Sequence, residues 1–109
     1  YDYLRIAKAM LDDWNNDTCE GKYLKSLYEN RINKNNKYSN NKGSYFGSKG
    51  YAGFFHTNYP GSKKDVIMGM NGYGGQEILI NFTDNKIVSV NAIHDNYNWS
   101  KIVLSAIKN

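Results

Sequence analysis

Apolar positions recur at two different periods along this chain, and the change of period divides it. Tyr3, Leu4, Ile6, Ala7, Met10, Leu11 and Trp14 share one side of a 3.6-residue repeat, with Arg5, Lys8, Asp12 and Asp13 opposite. That spacing predicts an amphipathic helix of about four turns, ended by Asn15-Asn16-Asp17. Thr18 stands at an N-cap position, and Tyr23, Leu24, Leu27, Tyr28 and Ile32 form a second helical stripe. From Glu77 the period falls to two: Ile78, Ile80 and Phe82 on one face, Glu77, Leu79 and Asn81 on the other. This is the pattern of a strand with one wetter face, which puts Glu77 toward solvent. Thr83-Asp84-Asn85-Lys86 has turn chemistry, and Ile87 to Ile93 is a β-branched return strand. Tyr51 to Tyr59 reads as one strand closed by Pro60-Gly61, Val66 to Met70 as another. Trp99, Ile102, Val103, Ala106 and Ile107 make the stripe of a C-terminal helix, while Asn33 to Gly50 has no period and reads as a loop. The expected class is α+β: two N-terminal helices, an antiparallel sheet of three to four strands, and a C-terminal helix.

Composition narrows the functional classes. The 109 residues make one domain's worth of chain, and 15% aromatic content argues for a packed core. The net charge of +4 comes from scattered lysines with only Arg5 and Arg31 beside them, a poor footprint for nucleic acid. Cys19 has no internal disulfide partner and reads as a small buried hydrophobe. No apolar run approaches the ~20 residues of a membrane span, and Tyr1-Asp2-Tyr3 does not read as the start of a signal peptide. The first residue is not Met, so the chain is expected to begin in mid-protein. His56, His94 and the scattered acids do not spell a metal site, and no cofactor is expected. Trp14 and Trp99 read as core anchors of their helices.

Asn71-Gly72-Tyr73-Gly74-Gly75-Gln76 precedes the alternating strand. Three glycines in four positions at a strand start indicate close approach by another backbone or a ligand. This G-x-G-G-Q run, followed by strand, polar turn and Val/Ile-rich return strand, resembles the C-terminal end of class C-type β-lactamase-related serine hydrolases. That family includes penicillin-binding proteins and related esterases and amide hydrolases. The resemblance covers nearly the whole chain, yet only the last third or so of a typical member, making residues 1–109 a single partial domain of a β-lactamase/transpeptidase-like fold. It implies that Met70-Asn71-Gly72 occupies the third active-site motif and that Tyr73 supplies a backbone N–H to the oxyanion hole. Met70, Asn71, Gly72, Gly74, Gly75 and Gln76 would then line the substrate. Many members carry Lys or His where Met70 stands; a thioether cannot hold a substrate carboxylate, which favours a neutral ester or amide.

The family nucleophile is Ser in Ser-x-x-Lys. The match Ser39-Asn40-Asn41-Lys42 sits in a polar loop that offers nothing to desolvate the lysine. Tyr38-Ser39-Asn40 spells the Tyr-x-Asn motif in the wrong chain order. Both motifs are therefore expected outside this chain, which alone would be inactive. It would need the rest of its domain or self-associate, and the family's usual location implies a periplasmic or extracytoplasmic setting. Two rival classes remain from the residues: an autonomous α+β binding module with Tyr51 to Tyr59 as its contact face, and a basic nucleic-acid-binding domain.

Overall fold

The computed structural model describes residues 2–34, 47–61, 64–71, 76–90 and 100–108. Helix α1 spans Asp2–Asn15 and α2 spans Cys19–Glu29. Six strands follow: β1 Ile32–Asn33, β2 Gly50–Ala52, β3 Phe55–Thr57, β4 Ile67–Asn71, β5 Glu77–Asn81 and β6 Lys86–Val90. Helix α3, Ser100–Lys108, closes the order. The strands form one antiparallel sheet in which every neighbour in space is the neighbour in sequence. The α+β class is as expected, with six strands in place of three or four. Among the described residues no helix is long and apolar enough to cross a membrane.

The two helices at the start form where the apolar stripe predicts. Thr18 caps α2, its Oγ1 accepting from Gly21 N at 3.1 Å, so one otherwise orphaned helical N–H is satisfied. Gly21 lies against the carbonyl of Asp13, where a Cβ would overlap backbone; the helices touch main chain to main chain at that point. Two parts of the second stripe differ from expectation. Tyr23 faces solvent, and Ile32 leaves the helix to pair with Tyr51 in β1. Cys19 opens α2 and is exposed, not buried.

The hairpin β5–β6 has the expected partners, with Glu77 opposite Val90, Leu79 opposite Val88 and Asn81 opposite Lys86. The turn begins one residue early, at Phe82, and Asn85 takes its left-handed position at φ 57°, a conformation Asn tolerates well. The expectation of a wet face fails. Ala7 and Leu11 of α1 pack on Met68, Ile78, Ile80 and Phe82, with Trp14 stacked on Phe82 at 4.3 Å between ring centroids. On the other face Val103 and Ile107 of α3 pack on Ile67, Leu79 and Tyr59. Every residue of β5 is consequently buried, Glu77 included. Alternation assigns a side chain to a face; it does not say whether a helix will cover that face. Helix α3 docks through Val103 and Ile107, while Ile102 is half exposed and Trp99 lies outside the described residues.

Tyr51 to Tyr59 is a hairpin, not one strand. Gly53 turns it at φ 60°, leaving Phe54 exposed at the tip, and Tyr51 faces His56 across the pair. The unperiodic segment contributes β1 at its start; residues 35–46, with Tyr38, Ser39 and Lys42, lie outside the described residues. Residues 91–99, which include Ile93 and His94, do so as well.

Asn81 joins the parts. Its side chain is fully buried: Oδ1 accepts from Thr83 N and Asp84 N, both at 3.0 Å, and Nδ2 donates to Ile107 O at 3.0 Å and Asp65 Oδ2 at 3.2 Å. One carboxamide thus shapes the turn and holds the last turn of α3. Asn81→Leu keeps the volume and removes all four bonds. We expect a loss of about 3 kcal/mol in urea unfolding, from stranded buried donors and acceptors. A loss below about 1 kcal/mol would mean that α3 docks by apolar contact alone.

Candidate functional site

The site grows from the ends of β4 and β5. Met70 pairs with Ile78 and Asn71 with Glu77, so the last residues of one strand lie beside the first of the next. Residues 72–75 join them outside the described residues, and the expected roles of Gly72, Tyr73, Gly74 and Gly75 lie there too. Met70, Asn71 and Gln76 are described, and all three line one pocket. Among the described residues, Tyr3 and Ile6 of α1, Ile78 of β5 and Val90 of β6 line it as well, around a volume of about 270 Å³. Five of these seven residues are apolar or aromatic, the other two are amides, and none carries a charge at neutral pH. No family model, curated protein or solved structure matches this chain.

Tyr3 and Ile6 read in the sequence as core positions of α1. Only Ala7 and Leu11 of that helix are buried, whereas Tyr3 is 50% and Ile6 53% exposed. The signal was the width of the stripe, which is broader than the sheet beneath it can cover.

On the opposite sheet face the same strand ends carry titratable groups. His56 of β3 stands opposite Gly69 and donates from Nε2 to Asn71 Oδ1 at 3.1 Å. Tyr59 lies over Gly69, where any Cβ would meet its hydroxyl; glycine is required there by close approach. Burial, and the Lys34 cation after it, push His56 down to about 4, against the opposing effect of its bond to Asn71. Burial raises Glu77 to about 7. Tyr59 is raised well above the usual phenol range, by burial first and by the Glu77 carboxylate second. Glu77 is therefore no solvent-face residue. The sequence offered no sign of this, because the alternation of β5 assigns Glu77 to a face without saying what covers that face.

A serine and a lysine do meet in this fold. Lys34 Nζ donates to Ser48 Oγ at 2.6 Å, and burial lowers the lysine from its ordinary value. The pairing has the atoms of a nucleophile and base. Ser48 is, however, only 2% exposed and does not line the pocket. The contact is a structural tie between the segments flanking β1 and β2.

The two shifted groups act on stability in opposite directions. Glu77 keeps its proton to higher pH in the fold than in the unfolded chain. Its contribution is full below its ordinary value of 4.5 and is lost as pH rises through about 7. His56 gives up its proton more readily in the fold, so its contribution is lost as pH falls from 6.5 toward 4. Between about pH 4.5 and 6.5 the two slopes oppose one another. Relative to wild type, Glu77→Gln should gain stability from pH 4.5 to 7, and His56→Gln should lose it from pH 4 to 6.5. Urea midpoints across pH 4–8 check this; parallel profiles for both variants would remove the assigned shifts.

Proposed function

We propose that this chain is the C-terminal segment of a β-lactamase-like serine hydrolase, in which β4 and β5 form the substrate-lining wall. The observation that carries this reading is the convergence of Met70, Asn71 and Gln76, named from the glycine-block pattern, on one pocket at the strand ends. In this reading a serine Oγ from outside these 109 residues adds to the substrate carbonyl. The Tyr73 N–H and a second amide at the nucleophile hold the oxyanion. The leaving group departs with a proton, and water then releases the acid from the acyl-enzyme. An uncharged Met70 suits an ester or amide better than an anionic β-lactam. The partner is the remainder of the hydrolase domain or, in its absence, a second copy of the chain.

One observation favours a second reading, an autonomous α+β binding module without catalysis. The chain's own helices pack on both faces of the sheet, α1 on Met68, Ile78 and Ile80 and α3 on Ile67 and Leu79, so the chain builds a core from its own residues.

The two are separated by a fluorophosphonate probe applied to the 109-residue chain and to the longer product of its reading frame. The longer product should carry Ser-x-x-Lys and Tyr-x-Asn upstream and be labelled at that serine. The 109-residue chain should remain unlabelled, and should turn over nitrocefin and p-nitrophenyl acetate no faster than background. Stoichiometric labelling of the short chain at Ser39 or Ser48 would place the nucleophile inside it. A longer frame with neither motif would leave the binding module.

A further inference from the structure

We propose that the pocket between α1 and the ends of β4, β5 and β6 seats an uncharged apolar group, a short acyl chain or a single ring, and that Ile6 and Met70 set its upper size. The identification of that group as the acyl part of an ester or amide rests on the hydrolase reading above. The preference for an uncharged apolar group does not.

The walls dictate the chemistry. Among the described lining residues, Tyr3, Ile6, Met70, Ile78 and Val90 offer hydrocarbon, thioether and ring surface, and Asn71 and Gln76 offer amides. An amide both donates and accepts, which suits a carbonyl or carboxamide. Among the described residues that line it, none supplies a cation for a carboxylate, and Glu77, next to Gln76 in the chain, adds negative charge on ionising. An anion entering here would lose its water without a partner. Size follows from volume. An apolar cavity of roughly 150 Å³ accepts benzene, so about 270 Å³ has room for a ring with a small substituent or a chain of similar bulk.

Ile6 and Met70 bound the pocket from different layers. Ile6 projects from a helix whose buried anchors, Ala7 and Leu11, lie next to it and one turn on; half exposed, Ile6 is not needed for that anchoring. Met70 belongs to the sheet, and its unbranched side chain can adapt to what it contacts. A change at either position therefore alters the space while leaving the Asn81 bonds and the α3 contacts in place.

The test is a titration of the 109-residue chain at pH 7, followed by methyl NMR at Ile6, Met70 and Ile78. The ligands are acetamide, hexanamide, benzamide, decanamide and hexanoate. Hexanamide and benzamide should give saturable shifts at those methyls, with acetamide much weaker. Hexanoate should bind at least about tenfold more weakly than hexanamide, since its charge goes unpaired. Decanamide should gain nothing over hexanamide in wild type and should gain in Met70→Ala. Ile6→Trp should abolish hexanamide binding while keeping the Asn81 side-chain amide signals, which report an intact fold. Equal affinity for hexanoate, shifts centred on Val103 and Ile107, or unchanged binding in a folded Ile6→Trp would each overturn the proposal. Failure of the hydrolase reading looks different. Hexanamide binding by the short chain, with no fluorophosphonate labelling of the longer product, removes only that reading. A labelled longer product whose acyl preference ignores Ile6→Trp removes only the present inference.

Discussion

The buried carboxamide of Asn81 is the constraint on which the rest of the structure depends. It uses both lone pairs of its oxygen and both N–H groups, and its four partners belong to different parts of the chain. Two are in the turn after β5, one is at the end of α3, and one is Asp65 ahead of β4. Apolar contact brings α3 to the sheet, but apolar contact has no preferred direction. Hydrogen bonds at about 3.0 Å supply that direction, so α3 sits at one depth and one rotation. The turn in turn fixes the register of β5 against β6. A one-residue slip would exchange Ile78 and Ile80 with Leu79 and Asn81 and put an unpaired amide under α1.

A second constraint works by absence of side chain. Gly69 lets the Tyr59 ring lie directly on β4, and the chain from β3 into β4 follows from that contact. The ring packs in the α3-side cluster, near enough to the Glu77 carboxylate for that charge to act on its hydroxyl. The same stretch of strand therefore has two electrostatic characters: a pocket whose described lining is uncharged on the α1 side, and a set of shifted groups on the other. Only a few ångströms of sheet separate them. The bond from His56 to Asn71 runs from the titratable face to a residue at the pocket's rim.

Much of this architecture was legible in the residues, in proportion to how local its causes are. The Thr18 cap, the α1 stripe, the period-two run of β5 and its polar turn depend on near neighbours, and they form as the pattern dictates. The hairpin inside Tyr51 to Tyr59 was hidden because Gly53 is flanked by strand-forming residues on both sides. The burial of Glu77 was hidden because alternation along a strand says nothing of what covers each face. For α3, the stripe marked the correct side of the helix, but which of Ile102 and Val103 would face the sheet is a matter of rotation that packing decides. In the pocket, Met70, Asn71 and Gln76 flank the glycine block, and their expected role was an implication of the family resemblance. Tyr3 and Ile6 had no such sign, since an apolar stripe looks the same whether it meets a core or lines a cavity.

The meander has a kinetic corollary. Its strand pairs, and the contact of α3 with β5 and β6, join segments close in sequence, and such contacts form with little loop-closure cost. Helix α1 is the exception: it rests on β5 and β6 from the opposite end of the chain. We expect the hairpins and α3 to assemble first, with α1 settling last and lifting most readily in the native state. Amide exchange faster in α1 than in β5 would bear this out, and equal protection would refute it. One wall of the pocket is then the most detachable layer of the fold, so access to the pocket is coupled to a partial unfolding step, and any occupant would act as a clasp between the two ends of the chain.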